Sequence, residues 1–153
     1  EELMNHIASL ALSEKDVFVA DIDRDSEAYD AVFACFKMPK ATDEEKVARS
    51  AAIQEATKHA ALVPMQVARN AYELMIADVA RLGDRNAVTD ACVAMMSART
   101  AVLGALLNVR INLGSIKDKT FADELQREAD VLERLACDRE KEVLDVVNQE
   151  LRV

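Results

Sequence analysis

Apolar positions recur along this chain at steps of three and four almost from end to end, the period of an α-helix packed on one side. The first stretch runs Ile7, Ala11, Phe18, Ile22, Asp25, Tyr29, Val32 and Phe36. From Phe18 onward the steps alternate between four and three, and one member of the series, Asp25, is an acid where an apolar side chain is called for. The last stretch reads as a second single stripe: Phe121, Leu125, Ala129, Leu132, Leu135 or Ala136, Val143, Val146 and Val147, with charge elsewhere. Between them, Asp90 to Leu113 is apolar nearly all round, and its charges are Asp90, Arg99 and Arg110. Such a segment reads as the buried central helix of a bundle. It also carries a row of small residues, Ala91, Ala94, Ala98, Ala101 and Ala105, that lets neighbouring helices approach closely.

Helix breakers divide the chain at Pro39, Pro64, Gly83 and Gly114. The pattern predicts five helices, over about 2–37, 43–61, 64–82, 87–113 and 119–151. Pro64 suits a first helical turn, so the second and third helices can also be one helix with a kink. Thr42 followed by Glu45 is a capping box. Thr89 or Asn86 is a cap for the fourth helix and Asp118 for the fifth. Gly83 and Gly114 stand where a left-handed terminal residue is expected. The expected fold is all-α: one helical bundle of long antiparallel helices spanning residues 1–153.

Composition agrees and narrows the chemistry. With 3 glycines and 2 prolines in 153 residues there is little turn material for a β fold, and with 4% aromatics and no Trp the core must be aliphatic. A net charge of −9 argues against nucleic acid as the main partner, since phosphate binding needs clustered cations. Cys35, Cys92 and Cys137 are odd in number and far apart, which is neither a disulfide framework nor a zinc pattern, so a reducing, cytoplasmic setting is expected. No uninterrupted apolar run reaches the roughly 18 residues of a membrane span, and no membrane partner is expected. The chain opens directly in helix at Glu1, which suggests that something precedes it.

Three constellations could carry chemistry. Asp25 lies inside the first stripe, with Asp21 one turn earlier on a neighbouring face; burial or a like charge would tune either carboxyl toward general-base work, whereas a boundary acid would simply reach solvent or pair with a cation. Asn108 and Asn112 are one turn apart near the end of the fourth helix; they could hold a polar heterocycle or satisfy a neighbouring helix. Lys40, Lys46, Arg49 and Lys58 form a basic set that could dock a carboxylate, or pair with Glu44 and Glu45 in solvent. No P-loop, GxGxxG, GxSxG or HExxH pattern occurs.

A run of short motifs adds a resemblance. Asp-Arg-Asp-Ser-Glu-Ala-Tyr (23–29), Met-Pro-Lys-Ala-Thr-Asp-Glu-Glu-Lys (38–46), Arg49, Ala-Ala-Ile-Gln-Glu (51–55), Val-Pro-Met (63–65), Thr-Asp (89–90) and Asn-Val-Arg-Ile-Asn-Leu (108–113) follow one another as in formiminotetrahydrofolate cyclodeaminases. The resemblance covers roughly residues 23 to 121. It implies an all-helical homodimer that closes 5-formiminotetrahydrofolate to 5,10-methenyltetrahydrofolate with release of ammonia, in one-carbon metabolism and histidine breakdown. It implies a folate substrate and no separate cofactor or metal. The family's acid falls on Asp25, which would take the proton from the attacking nitrogen. Lys40 and Arg49 are then candidates for the ligand's carboxylates, and Asn108 and Asn112 for its pterin. Related members are methenyltetrahydrofolate cyclohydrolases, and these motifs do not separate the two reactions. The family's Gly-Gly-Gly-Ser segment and preceding helix do not occur in this sequence. A non-catalytic bundle that binds folate or a partner is therefore the reading from a different class.

Overall fold

The computed structural model describes residues 2–76 and 87–150. They form four helices: α1 (Glu2–Phe36), α2 (Asp43–Ile76), α3 (Val88–Leu113) and α4 (Lys119–Glu150). No strand occurs among the described residues. The predicted second and third helices are one continuous α2 that passes through Pro64. The predicted stop at Gly83 and the cap at Asn86 lie outside the described residues.

Local chemistry sets the ends as expected at two places. The Glu45 amide donates to Thr42 Oγ1 (3.2 Å), and Glu45 Oε2 accepts from the amides of Ala41 (2.7 Å) and Thr42 (3.2 Å), which closes the capping box of α2. Asp118 Oδ1 accepts from the Phe121 amide (3.2 Å) at the start of α4. Two expectations fail. Thr89 lies inside α3, whose N-cap is Ala87 without a side-chain bond. Gly114 keeps right-handed angles (φ −58°, ψ −24°), because the chain leaves α3 through a helical turn in which Ser115 and Ile116 donate back to Asn112 and Leu113.

α2 is the central helix. It packs against α1, α3 and α4, whereas the sequence pattern pointed to α3. Lys58, Arg69 and Met75 of α2 meet Asp118, Glu128 and Arg139 in the same order, so α2 and α4 run parallel. α1 and α3 both run antiparallel to α2, and therefore parallel to each other. The main core lies between α2, α3 and α4, with Met65, Met75, Val102, Leu106, Val109 and Val143 fully buried. On α4 it is Ala136 rather than Leu135 that is buried. A doubly hydrogen-bonded pair, Arg69 to Glu128 (2.6 and 2.8 Å), ties α2 to α4 at the edge of this core.

α3 buries one face only. Val88, Cys92, Met95, Val102, Ala105, Leu106, Val109 and Leu113 face inward, while Val93, Leu107 and Ile111 are exposed. α3 is long and apolar enough to cross a membrane by length and composition alone. Yet Arg99 and Arg110 interrupt it, and both pair with acids of α4: Glu140, and Asp130 with Glu133.

α1 also differs from its reading. Its inward face carries Phe18, Asp21, Ala28 and Val32, with Ala28 and Val32 packed on Ala60 and Val63 of α2. Ile22, Tyr29 and Phe36 of the predicted stripe are exposed, as is Asp25. The buried face is rotated from that stripe by less than one residue step of about 100°. The same stretch thus has apolar residues on two faces, and α2 covers only one.

Candidate active site

α1 and α3 flank α2 side by side and leave a groove between them. Phe18, Asp21 and Ile22 of α1, Val67 of α2 and Ala101 of α3 line it, around a volume of about 320 Å³. Helical spacing explains the lining: positions 18, 21 and 22 lie on one side of α1, and position 25 repeats that side about two turns after 18. Asp25 is on the same side of α1, one turn beyond Asp21; it is exposed and outside the set of residues that line the groove.

Asp21 is the buried acid of α1, with a side chain 4% exposed. Its Oδ1 accepts from Arg24 Nη1 at 2.6 Å, and its Oδ2 is buried and accepts no hydrogen bond. The sequence reading placed the out-of-register acid at Asp25 and set Asp21 beside it. The structure exchanges these positions. The signal was present: Asp21 lies three residues after Phe18 and seven before Ala28, on the face that packs.

The two asparagines lie along α3, on the same stretch as Ala101 and Gly104. Asn112 Nδ2 donates to the Ala60 carbonyl of α2 (3.1 Å) and to the Asn108 carbonyl (3.0 Å). Asn108 is exposed and its Nδ2 donates to Gly104 O (3.3 Å). Between Ala101 and Asn108, Gly104 faces open space, and an added Cβ there would meet no atom within 4 Å.

The basic set is at the other end of α1, where α1 turns into α2. Arg49 Nη2 donates to Phe36 O (3.1 Å), its guanidinium lies 5.7 Å from the centre of the Phe36 ring, and its buried Nε donates to no acceptor. Arg49 thus closes the C-terminal end of α1. Lys40 is exposed in the loop, and Lys46 pairs with Asp43 (2.8 Å). Lys58 bridges to Asp118 (3.0 Å), which raises the Lys58 pKa and, together with the Phe121 amide, lowers that of Asp118. The structure does not bring Lys40 and Arg49 together with Asp25: about 16 Å of helix separates Asp25 from Phe36 at 1.5 Å per residue.

No group of three or more metal-ligating side chains occurs among the described residues. Cys35, Cys92 and Cys137 are all free, and burial raises the Cys92 thiol pKa. The chemistry on offer is that of a carboxylate pair beside an apolar slot, with cations a helix length away.

Residues 1–131 match the family described as formiminotransferase-cyclodeaminase. The chain belongs to this family. A methenyltetrahydrofolate cyclohydrolase of Methylorubrum extorquens is 44% identical over 110 residues, which cover 71% of this chain and 53% of that protein. The formimidoyltransferase-cyclodeaminase of Rattus norvegicus is 34% identical over 105 residues, covering 67% of this chain and 19% of the relative. The crystal structure of formiminotetrahydrofolate cyclodeaminase from Thermotoga maritima superposes with a TM-score of 0.70 at 26% identity, over 84% of this chain and 61% of that one. The chain thus spans about half the length of the cyclohydrolase it matches. Family membership agrees with the expected all-helical fold, and the cyclodeaminase family carries folate one-carbon chemistry.

Proposed function

We propose that this chain acts in folate one-carbon metabolism as a cyclodeaminase, closing 5-formiminotetrahydrofolate to 5,10-methenyltetrahydrofolate. In that reaction the anilino nitrogen attacks the protonated formimino carbon. A base removes the proton from that nitrogen, the former imino nitrogen takes a proton, and ammonia departs as the bridged methenyl cation forms. Asp25 is the base. What supports the role is its position: a carboxylate open to solvent on the same side of α1 as the groove-lining Phe18 and Ile22, one turn from a second acid. The span from Asp25 to Lys40 and Arg49 suits a long substrate with a heterocycle at one end and carboxylates at the other. Asn108 contributes a carbonyl and amide along the groove wall, and Asn112 holds α2 and α3 in place beneath it.

A second reading has its own support in the 44% identity to a cyclohydrolase. There Asp25 would take a proton from water as it adds to the methenyl bridge, and one carbon–nitrogen bond would break to leave a formyl group. Supplying 5-formiminotetrahydrofolate and measuring ammonia together with methenyl absorbance decides between them. Ammonia release supports cyclodeamination; consumption of methenyltetrahydrofolate without activity on the formimino substrate supports the cyclohydrolase.

The active unit is a homodimer in the cytoplasm. Its support is the pair of exposed apolar faces beside the groove: Leu12, Val19, Ile22, Tyr29 and Phe33 on α1, and Val93, Leu107 and Ile111 on α3. Contiguous apolar surface of this kind is the mark of an interaction site. Sedimentation of the protein at micromolar concentration tests it, and a monomer at all concentrations would refute it.

A further inference from the structure

We infer that α3 is the two-fold contact between two copies of this chain, crossing its partner antiparallel about residue 102, so that each copy closes the α3 side of the other's groove. Not one exposed residue of α3 between Val93 and Ile111 carries a charge, in a chain whose residues are 31% charged. Arg99 and Arg110 are turned to the acids of α4 instead. A charge-free strip along about 27 Å of helix is surface that gains by being covered.

The order of side chains along the strip says what covers it. Val93, Ser97, Thr100, Gly104, Leu107 and Ile111 follow at steps of four and three, the seam of one helix packed on another. Bulk is spread unevenly: Ser97 and Gly104 are small, Leu107 and Ile111 large. A parallel copy would set glycine on glycine and leucine on leucine, leaving a void in one turn and crowding the next. An antiparallel copy about residue 102 sets Ser97 on the partner's Leu107, Thr100 on the partner's Gly104 and Val93 on the partner's Ile111. Each pair then recurs across the axis, as a closed two-fold interface requires. The open space at Gly104 leaves room for the incoming threonine. A face without charge also spares two chains of net charge −9 from setting like charges against each other.

Ala101 lies on the flank of this seam and lines the groove. At a crossing about residue 102 it meets its own copy, and Asn108 comes beside the partner's Ala94. The two grooves therefore abut at the axis. Ile22, exposed across the groove from Ala101, widens the covered surface. This inference rests on the homodimer reading and deepens it by naming the contact.

The test reads the register of the crossing. Ser97→Cys and Leu107→Cys are made in separate copies of the full chain, each also carrying Cys35→Ser and Cys137→Ser; Cys92 is buried. The two are mixed, allowed to exchange subunits and oxidised. The mixture is expected to give a covalent dimer on a non-reducing gel. Each variant alone is expected to stay uncoupled, because like positions lie about 15 Å apart along the axis, beyond the reach of a disulfide. Thr100→Glu, at an exposed position, is expected to raise the dimer dissociation constant at least about tenfold in sedimentation while circular dichroism shows an intact fold. Failure of either result in a wild type that sediments as a dimer overturns the inference and leaves the homodimer reading standing. Equal coupling in the separate variants does the same. A wild type that stays monomeric removes both, and monomers that float with phosphatidylglycerol vesicles assign the face to lipid instead.

Discussion

The side chain of Asn112 makes the hydrogen bond to Ala60 that α2 cannot make for itself. In an uninterrupted helix the carbonyl of residue 60 accepts from the amide of residue 64. Residue 64 is proline and has no amide hydrogen. Asn112 Nδ2, from the neighbouring helix, lies 3.1 Å from that carbonyl. This is why α2 continues through Pro64 in a buried position, and why an asparagine belongs on this face of α3.

Replacing Asn112 with Ala should therefore leave a buried carbonyl unpaired and cost about 1–3 kcal/mol. Pro64→Ala restores the helix's own donor. In the double variant the penalty should shrink by about 1 kcal/mol, which chemical denaturation in a double-mutant cycle would reveal. Additive costs would show that the two residues are not coupled.

Asp25→Asn should fold as the wild type does, because the side chain is exposed and anchors no neighbour. Ring closure should fall by roughly 10²–10⁴, the range for loss of a general base. Methenyl absorbance and ammonia release measure it. Wild-type rates in the variant would remove Asp25 from the mechanism.

Gly104 sits mid-helix with open space where a Cβ would be. Within the chain, Gly104→Ala should stabilise by about 1 kcal/mol, since glycine is a poor helix former and nothing obstructs the methyl. A higher thermal midpoint combined with weaker self-association by sedimentation would mark the notch as a close approach for the second copy.

The Lys58–Asp118 bridge predicts an acid-sensitive start to α4. The folded Asp118 pKa is lowered by Lys58 and by the Phe121 amide, so its contribution is present above the unfolded carboxyl pKa of about 4 and is lost as pH falls through the lower folded value. Amide exchange at Phe121 and Ala122 should accelerate below about pH 4. In Asp118→Asn, which keeps an acceptor for the Phe121 amide and removes the charge, that pH dependence should vanish.

Much of this architecture was legible from local chemistry. Thr42 with Glu45 and Asp118 announced helix starts because a cap is made by neighbours in sequence. The face of α1 was not legible, because apolar residues at steps of three and four occupy two adjacent faces, and the choice between Ile22 and Asp21 as the buried one depends on where α2 lies. The same limit applies to α3: a helix apolar all round announces burial, but not whether its own chain supplies the cover. The asparagines were readable as a pair, while the task of Asn112 depended on Pro64, which is distant in sequence and adjacent in space.

The two walls of the groove differ in how they are held. α3 is part of the three-helix core, while α1 is held chiefly by α2, through Phe18 and the small Ala28–Ala60–Val63 cluster. Opening α1 exposes less apolar surface than opening α3, so α1 belongs to the low-stability end of the molecule. Both acids of the site ride on that helix. Substrate that bridges α1 to the core would then act as a clasp as well as a reactant, and amide protection along α1 should rise on binding while that of α3 changes little.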